Sequence, residues 1–131
     1  MVRDFATNLG IAYQLQDDIL GVYGDENETG KSNISDIVEG KHTFLVDSFY
    51  ALTSQEQVLE FNKYFGNKDA SREQIEIVKQ LLVTTGALDL TQKKLNEYEA
   101  SARKNLDQMD ISSESKATFE DLITESLKRQ K

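Results

Sequence analysis

Not one proline interrupts the 131 residues of this chain. Proline is the strongest breaker of a helix interior, so its absence leaves the whole length open to helix. Apolar spacing fills that space. Val58, Phe61 and Phe65 recur at helical intervals after Ser54, an N-cap residue with Glu56 in the first turn. Ile75, Val78 and Leu82 do the same after Ser71. Leu88, Leu95, Tyr98, Ala102 and Leu106 form a further stripe beyond Gly86, where a break between two helices is expected. Phe119, Leu122, Ile123 and Leu127 mark a last amphipathic helix entered around Ser112 or Ser113. No segment alternates apolar and polar residues long enough to argue a strand. The fold class predicted is all-α, a helical bundle, and the length suits a single domain over 1–131.

Residues 5–23 read as a first helix of unusual pattern. On a helical wheel Thr7, Gly10, Gln14, Asp17, Asp18 and Gly21 share one polar stripe. Most other positions are apolar, among them Leu9, Ile11, Ala12, Leu15, Ile19, Leu20 and Val22, and Tyr13 is read as core. An ordinary surface helix has the reverse proportions. A mostly apolar helix with a narrow polar seam is expected to be buried, with the seam lining a cavity. Two adjacent carboxylates there call for a positive partner, and a hard divalent cation suits their oxygens. The plainer alternative is an Asp pair on a solvated helix end. Beyond the pair, Lys31 and Lys41 bracket a segment containing Ser35-Asp36-Ile37. Carboxylates that hold Mg²⁺ beside flexible ammonium groups suit a diphosphate.

Composition removes several competing classes. Without Cys there is no disulfide, thiol nucleophile or Cys-ligated metal centre, and a lone His42 cannot build a multi-His site within one chain. Twenty-three acidic residues against 15 basic ones give a net charge of −8, which opposes nucleic-acid binding; the one basic cluster is Lys128-Arg129-Lys131. No apolar run approaches the ~20 residues of a membrane span, and the opening residues carry no signal-peptide pattern. A reducing, cytoplasmic setting is the expectation.

The run from Gly10 through Tyr13, Gln14, Asp17 and Asp18 to Leu20, then Gly24-Asp25, Gly30-Lys31, Ser35-Asp36-Ile37 and Glu39-Gly40-Lys41-His42-Thr43-Phe44-Leu45, resembles the trans-isoprenyl diphosphate synthases, or polyprenyl synthetases. The match is to the second Asp-rich region and the lysine loop after it, over residues 10–46; residues 47–131 share only helical character. The resemblance implies an all-α, usually homodimeric enzyme of isoprenoid biosynthesis. It would condense isopentenyl diphosphate with an allylic diphosphate, using Mg²⁺ held by two Asp-rich motifs. By position, Asp17 would be the metal ligand and Asp18 its support. Gln14 would face the allylic tail and the developing cation. Lys31 and Lys41 would hold the diphosphate, and Asp36 would orient the loop or a lysine. His42 has no counterpart role and is expected to be solvated.

Two departures stand out. The family's second motif usually ends in Asp, and here that position is Gly21. The first Asp-rich motif is absent from this sequence, so the chain is expected to be a C-terminal portion, inactive alone. Two other readings stay open. Residues 54–131 taken alone suit a non-catalytic helical interaction domain. Asp25 to Asp36 nearly fits a single EF-hand calcium loop, with Gly30 at the sixth position, but it ends in Asp36 where a bidentate Glu is needed.

Overall fold

The structure, a computed structural model, describes residues 2–24 and 34–127. Every regular element among them is a helix: α1 (Val2–Tyr23), α2 (Ser35–Val38), α3 (Phe44–Leu52), α4 (Gln55–Tyr64), α5 (Arg72–Thr84), α6 (Ala87–Asp107) and α7 (Ser113–Leu127). Lys31, the calcium-loop positions from Asp25 to Asn33 and the Lys128-Arg129-Lys131 cluster lie outside the described residues.

The helix starts follow from short-range chemistry. Ser54 and Ser71 each accept a hydrogen bond from the backbone N–H three residues on, while the Gln57 and Gln74 side chains accept from the cap N–H in return. Each box satisfies two backbone donors that a bare helix end would leave open. The Thr43 hydroxyl caps α3 by accepting from the Val46 N–H at 3.3 Å. Ser112 caps α7 through the Ser115 N–H at 3.0 Å. Gly86 sits at φ +91° between α5 and α6, the left-handed conformation that ends a helix and that glycine adopts without strain. Helix α3 is the element the apolar spacing did not announce. Leu45, Val46, Ser48 and Phe49 form its buried face, but that face includes polar Ser48 while Phe44 and Leu52 are exposed, so residue polarity does not trace its period.

The described residues form two compact units, and α1 and α6 contribute to both. The larger comprises residues 17–24 and 34–91. Its core joins Val22, Ile37, Leu45, Phe49, Phe61, Ile75, Val78 and Leu82. Phe61 is fully buried and stacks on Phe49 at 4.2 Å and on Phe65 at 4.9 Å between ring centroids. The smaller comprises residues 2–16 and 92–127. There Phe5, Ala102, Leu106 and Ile123 form the core, and Phe119 meets Phe5 edge-on at 5.9 Å. Arg103 of α6 pairs with Glu99 at 3.1 Å and with Glu120 of α7, and donates to the Thr124 hydroxyl at 3.2 Å.

Candidate functional site

Helix α1 divides its residues as the wheel requires, with one shift. Ala12, Leu15, Ile19, Leu20 and Val22 are buried. Thr7, Gly10 and Gln14 on the polar stripe are exposed, and Asp17 and Gly21 are half-buried, so within this chain the stripe is a surface. Tyr13, expected in the core, is 37% exposed; an amphipathic ring can cover apolar surface with its hydroxyl still wet. Asp18 is only 4% exposed, so successive carboxylates occupy different environments. Consecutive helical residues point ~100° apart, which takes Asp18 off the stripe that Asp17 and Gly21 share.

Short helix α2 brings the next acidic group to the same place. An ideal Cβ built on Gly21 would lie 2.1 Å from Asp36 Oδ2 and 2.9 Å from its Cγ. The Asp36 carboxylate therefore rests directly on the bare backbone of α1, one turn from Asp17. Ile37 anchors α2 in the core with 1% exposure. The Lys41 backbone N–H donates to the Asp36 carbonyl at 2.9 Å, which folds the Lys41 segment back over α2. Lys41 itself is exposed.

A second glycine contact sets this turn. Gly40 (φ +68°) and Gly66 (φ +78°) both adopt left-handed backbone. A Cβ on Gly40 would lie 3.1 Å from Gly66 Cα, and the Gly66 N–H donates to the Ile37 carbonyl at 2.7 Å. The turn after α4 thus presses on the residue immediately before Lys41. Sequence reading misses this positioning role, because nothing local links the two glycines.

The donor set is compatible with a hydrated divalent cation such as Mg²⁺. Among the described residues no group of three or more His, Asp or Glu side chains comes together as a cage. Mg²⁺ does not need one: it keeps several waters and takes one or two carboxylates together with substrate phosphate oxygens. The accessible Asp17 carboxylate, with Asp36 beside the same helical face, offers oxygen ligands of that kind. The α2 side thus joins Asp17, Asp36 and Lys41 in one unit. His42 is solvent-exposed as expected, its Nδ1 lying 3.6 Å from the Asp47 carboxylate. Tyr23, at the end of α1, donates from its hydroxyl to the Lys79 carbonyl at 2.7 Å. Burial first and the Glu76 charge second raise its pKa well above the ordinary value of 10.0. Elsewhere, a polar cleft of about 360 Å³ in the smaller unit is lined by Asp4, Thr7, Asn8, Ser101, Lys104, Asn105 and Gln108. Asn8 and Asn105 hydrogen-bond across it at 2.7 Å. It contains no residue of the Asp and Lys set.

Comparison with known proteins agrees with the residue pattern. The family model described as polyprenyl synthetase matches residues 1–82. The geranylgeranyl diphosphate synthase of Sulfolobus acidocaldarius is 38% identical over 118 residues, covering 87% of this chain and 34% of that protein. The geranylfarnesyl diphosphate synthase of Aeropyrum pernix is 32% identical across 100% of this chain and 40% of its own length. A crystal structure of the Corynebacterium glutamicum geranylgeranyl pyrophosphate synthase, complexed with isoprenyl diphosphate and magnesium, superposes with a TM-score of 0.89 at 32% identity. That superposition covers 97% of this chain and 36% of the other. The chain therefore spans between a third and two-fifths of the length of these proteins. No helix among the described residues is long and apolar enough to cross a membrane. The all-α architecture, the ordered motif and the family match converge: the chain belongs to the polyprenyl synthetase family.

Proposed function

We propose that this chain forms one wall of a prenyltransferase site, the wall that binds the diphosphate of an allylic substrate through Mg²⁺. In the reaction, the allylic C–O bond breaks and its electron pair leaves with the diphosphate. The double bond of isopentenyl diphosphate then supplies the electrons of the new C–C bond, and loss of a proton restores an alkene. Bound Mg²⁺ would supply charge neutralisation of the leaving diphosphate. The chain's own residues divide the remaining work. Asp17 offers the accessible carboxylate for the metal. Asp18, buried beside it, supports the end of α1. Lys41 and Lys31 neutralise diphosphate oxygens, which counts most as charge builds up on leaving. Gln14, exposed on the same stripe, faces the hydrocarbon next to the reacting carbon. Asp36 orients the Lys41 segment, and a homodimer is the assembly we propose.

The observation that supports this reading best is the packing of the Asp36 carboxylate on α1 at Gly21, one helical turn from Asp17, with the Lys41 N–H bonded to the Asp36 carbonyl. Only one Asp-rich region is present, so the chain alone should bind Mg²⁺–pyrophosphate without condensing the two substrates. Calorimetry with Mg²⁺ and inorganic pyrophosphate tests the binding. An assay with allylic and isopentenyl diphosphates tests the second point. Pyrophosphate binding that ignores Mg²⁺, or that survives both Asp17→Ala and Lys41→Ala unchanged, removes the reading.

A further inference from the structure

The space above Gly21 is filled from another element. No unstrained pair of atoms sits at the 2.1 Å that would separate a residue-21 Cβ from Asp36 Oδ2. Nor is Asp36 free to retreat as a whole. Its backbone is tied at the neighbouring Ile37 carbonyl by the Gly66 N–H (2.7 Å) and at its own carbonyl by the Lys41 N–H (2.9 Å). Ile37 is buried in the core. With the backbone held, an added Cβ can be accommodated only by turning the Asp36 carboxylate away from α1. Cβ positions one helical turn apart are about 5–6 Å from each other. An Asp36 oxygen at the Gly21 position is therefore close enough to Asp17 for both to meet the hydration shell of one cation.

We propose that Gly21 is a positioning residue: its missing side chain is the space through which α2 presents the Asp36 carboxylate to the Asp17 face of α1. The acidic group at this point of the stripe comes from α2 instead of from α1. This rests on the Mg²⁺–diphosphate reading for its purpose, though not for its geometry. A substitution that looks like a repair, Gly21→Asp, is then harmful, since two carboxylates would compete for one volume.

Two measurements on the 131-residue chain decide it. Thermal unfolding separates the geometry from the ligand. Ala is the better helix former, so Gly→Ala at an uncrowded helical site raises Tm by a few degrees. Gly21→Ala should instead lower Tm in the parent and raise it in an Asp36→Ala background. A rise of similar size in both backgrounds overturns the proposal. Calorimetry with Mg²⁺ and inorganic pyrophosphate tests the delivery. Gly21→Asp and Asp36→Ala should each weaken binding by about 10-fold, as expected for groups that orient or hydrate a metal site. Moving the carboxylate, in Gly21→Asp with Asp36→Ala, should recover all but about 2–3-fold of that loss. A double variant no better than the worse single one overturns the delivery, and far-UV circular dichroism on each variant shows that it is folded. A parent chain that binds no pyrophosphate overturns the function proposed above; the Tm reversal still decides whether Asp36 fills the space at Gly21.

Discussion

Replacing Gly40 by Ala should be the most damaging of the three left-handed glycine substitutions. The three share a conformational penalty: at φ +68°, +78° and +91° a Cβ costs about 1 kcal/mol for Gly40, Gly66 and Gly86 alike. Their surroundings differ. At Gly86 the added carbon would meet only the tip of Leu52 at 4.0 Å, and at Gly66 it would meet Gly40 Cα at 3.6 Å, both ordinary contacts. At Gly40 it would meet Gly66 Cα at 3.1 Å, a backbone atom that cannot rotate away. Relief requires the Gly66 backbone to move, which stretches its 2.7 Å hydrogen bond to the Ile37 carbonyl. Loss of that bond adds about 1 kcal/mol, and the strain of the displaced turn adds about as much again. Gly40→Ala should therefore cost about 3 kcal/mol, against about 1 for Gly66→Ala or Gly86→Ala. For a chain of this size that is a fall in Tm of about 10 °C against about 4 °C. Thermal unfolding followed by far-UV circular dichroism measures all three side by side. If Gly40→Ala melts within about 2 °C of the other two, the close glycine contact is not what holds this turn.

Phe61→Ala should remove both aromatic stacks of the larger core and cost about 3–5 kcal/mol, the range for truncating a fully buried aromatic residue, read by denaturant unfolding. Tyr23 should titrate above the ordinary phenol value of 10.0. Because its folded pKa is raised, the stability it contributes is complete below pH 10.0 and is lost as pH climbs towards the folded value. Tyr23→Phe should flatten that alkaline loss and cost about 1 kcal/mol at neutral pH through the missing bond to the Lys79 carbonyl; ultraviolet titration of the phenols beside urea unfolding checks both. Arg103→Ala in the smaller unit should cost no more than about 1 kcal/mol, because its ion pairs with Glu99 and Glu120 are partly exposed, and the same unfolding curves would show a larger loss.

What could be read in the sequence was what is decided locally. Ser54-x-x-Gln57 and Ser71-x-x-Gln74 start helices because the cap and its third residue serve each other's backbone groups, whatever lies beyond. Gly86 ends a helix for an equally local reason. Phe44–Leu52 carries no such sign, since Ser48 sits on its buried face while Phe44 and Leu52 are exposed, which blurs the amphipathic period. The family was legible from residue type and order, and the geometry around the candidate residues only in part. Wheel arithmetic put Asp17 and Gly21 on one stripe, and they share it. The family resemblance treated Gly21 as an acidic position left empty. Only the tertiary structure shows Asp36 standing in that space, since the contact joins α1 to a segment beyond residues 25–33. Gly40 and Gly66 are likewise meaningful only as a pair.

Asp17 and Asp18 show why adjacent identical residues in one motif need not share a task. Burial of a carboxylate is costly unless its oxygens are engaged, and Asp18, at 4% exposure, is engaged within the chain. Asp17 has a partner within the chain as well, so what separates the two is burial. Asp17, half-buried on the open stripe, keeps access to solvent and therefore to a metal with its own waters. The two substitutions should separate accordingly. Asp18→Ala should act mainly on stability, since it strips a buried group from its partners and leaves them unsatisfied, at about 1–3 kcal/mol. Asp17→Ala should lower Tm by less than Asp18→Ala does, because Asp17 is less buried, and should weaken Mg²⁺–pyrophosphate binding by about 10-fold or more. Measuring Tm and pyrophosphate affinity on both variants resolves the division. If Asp18→Ala loses binding at unchanged Tm while Asp17→Ala loses neither, the accessible carboxylate is not the ligand, and burial has been the wrong guide to which aspartate meets the metal.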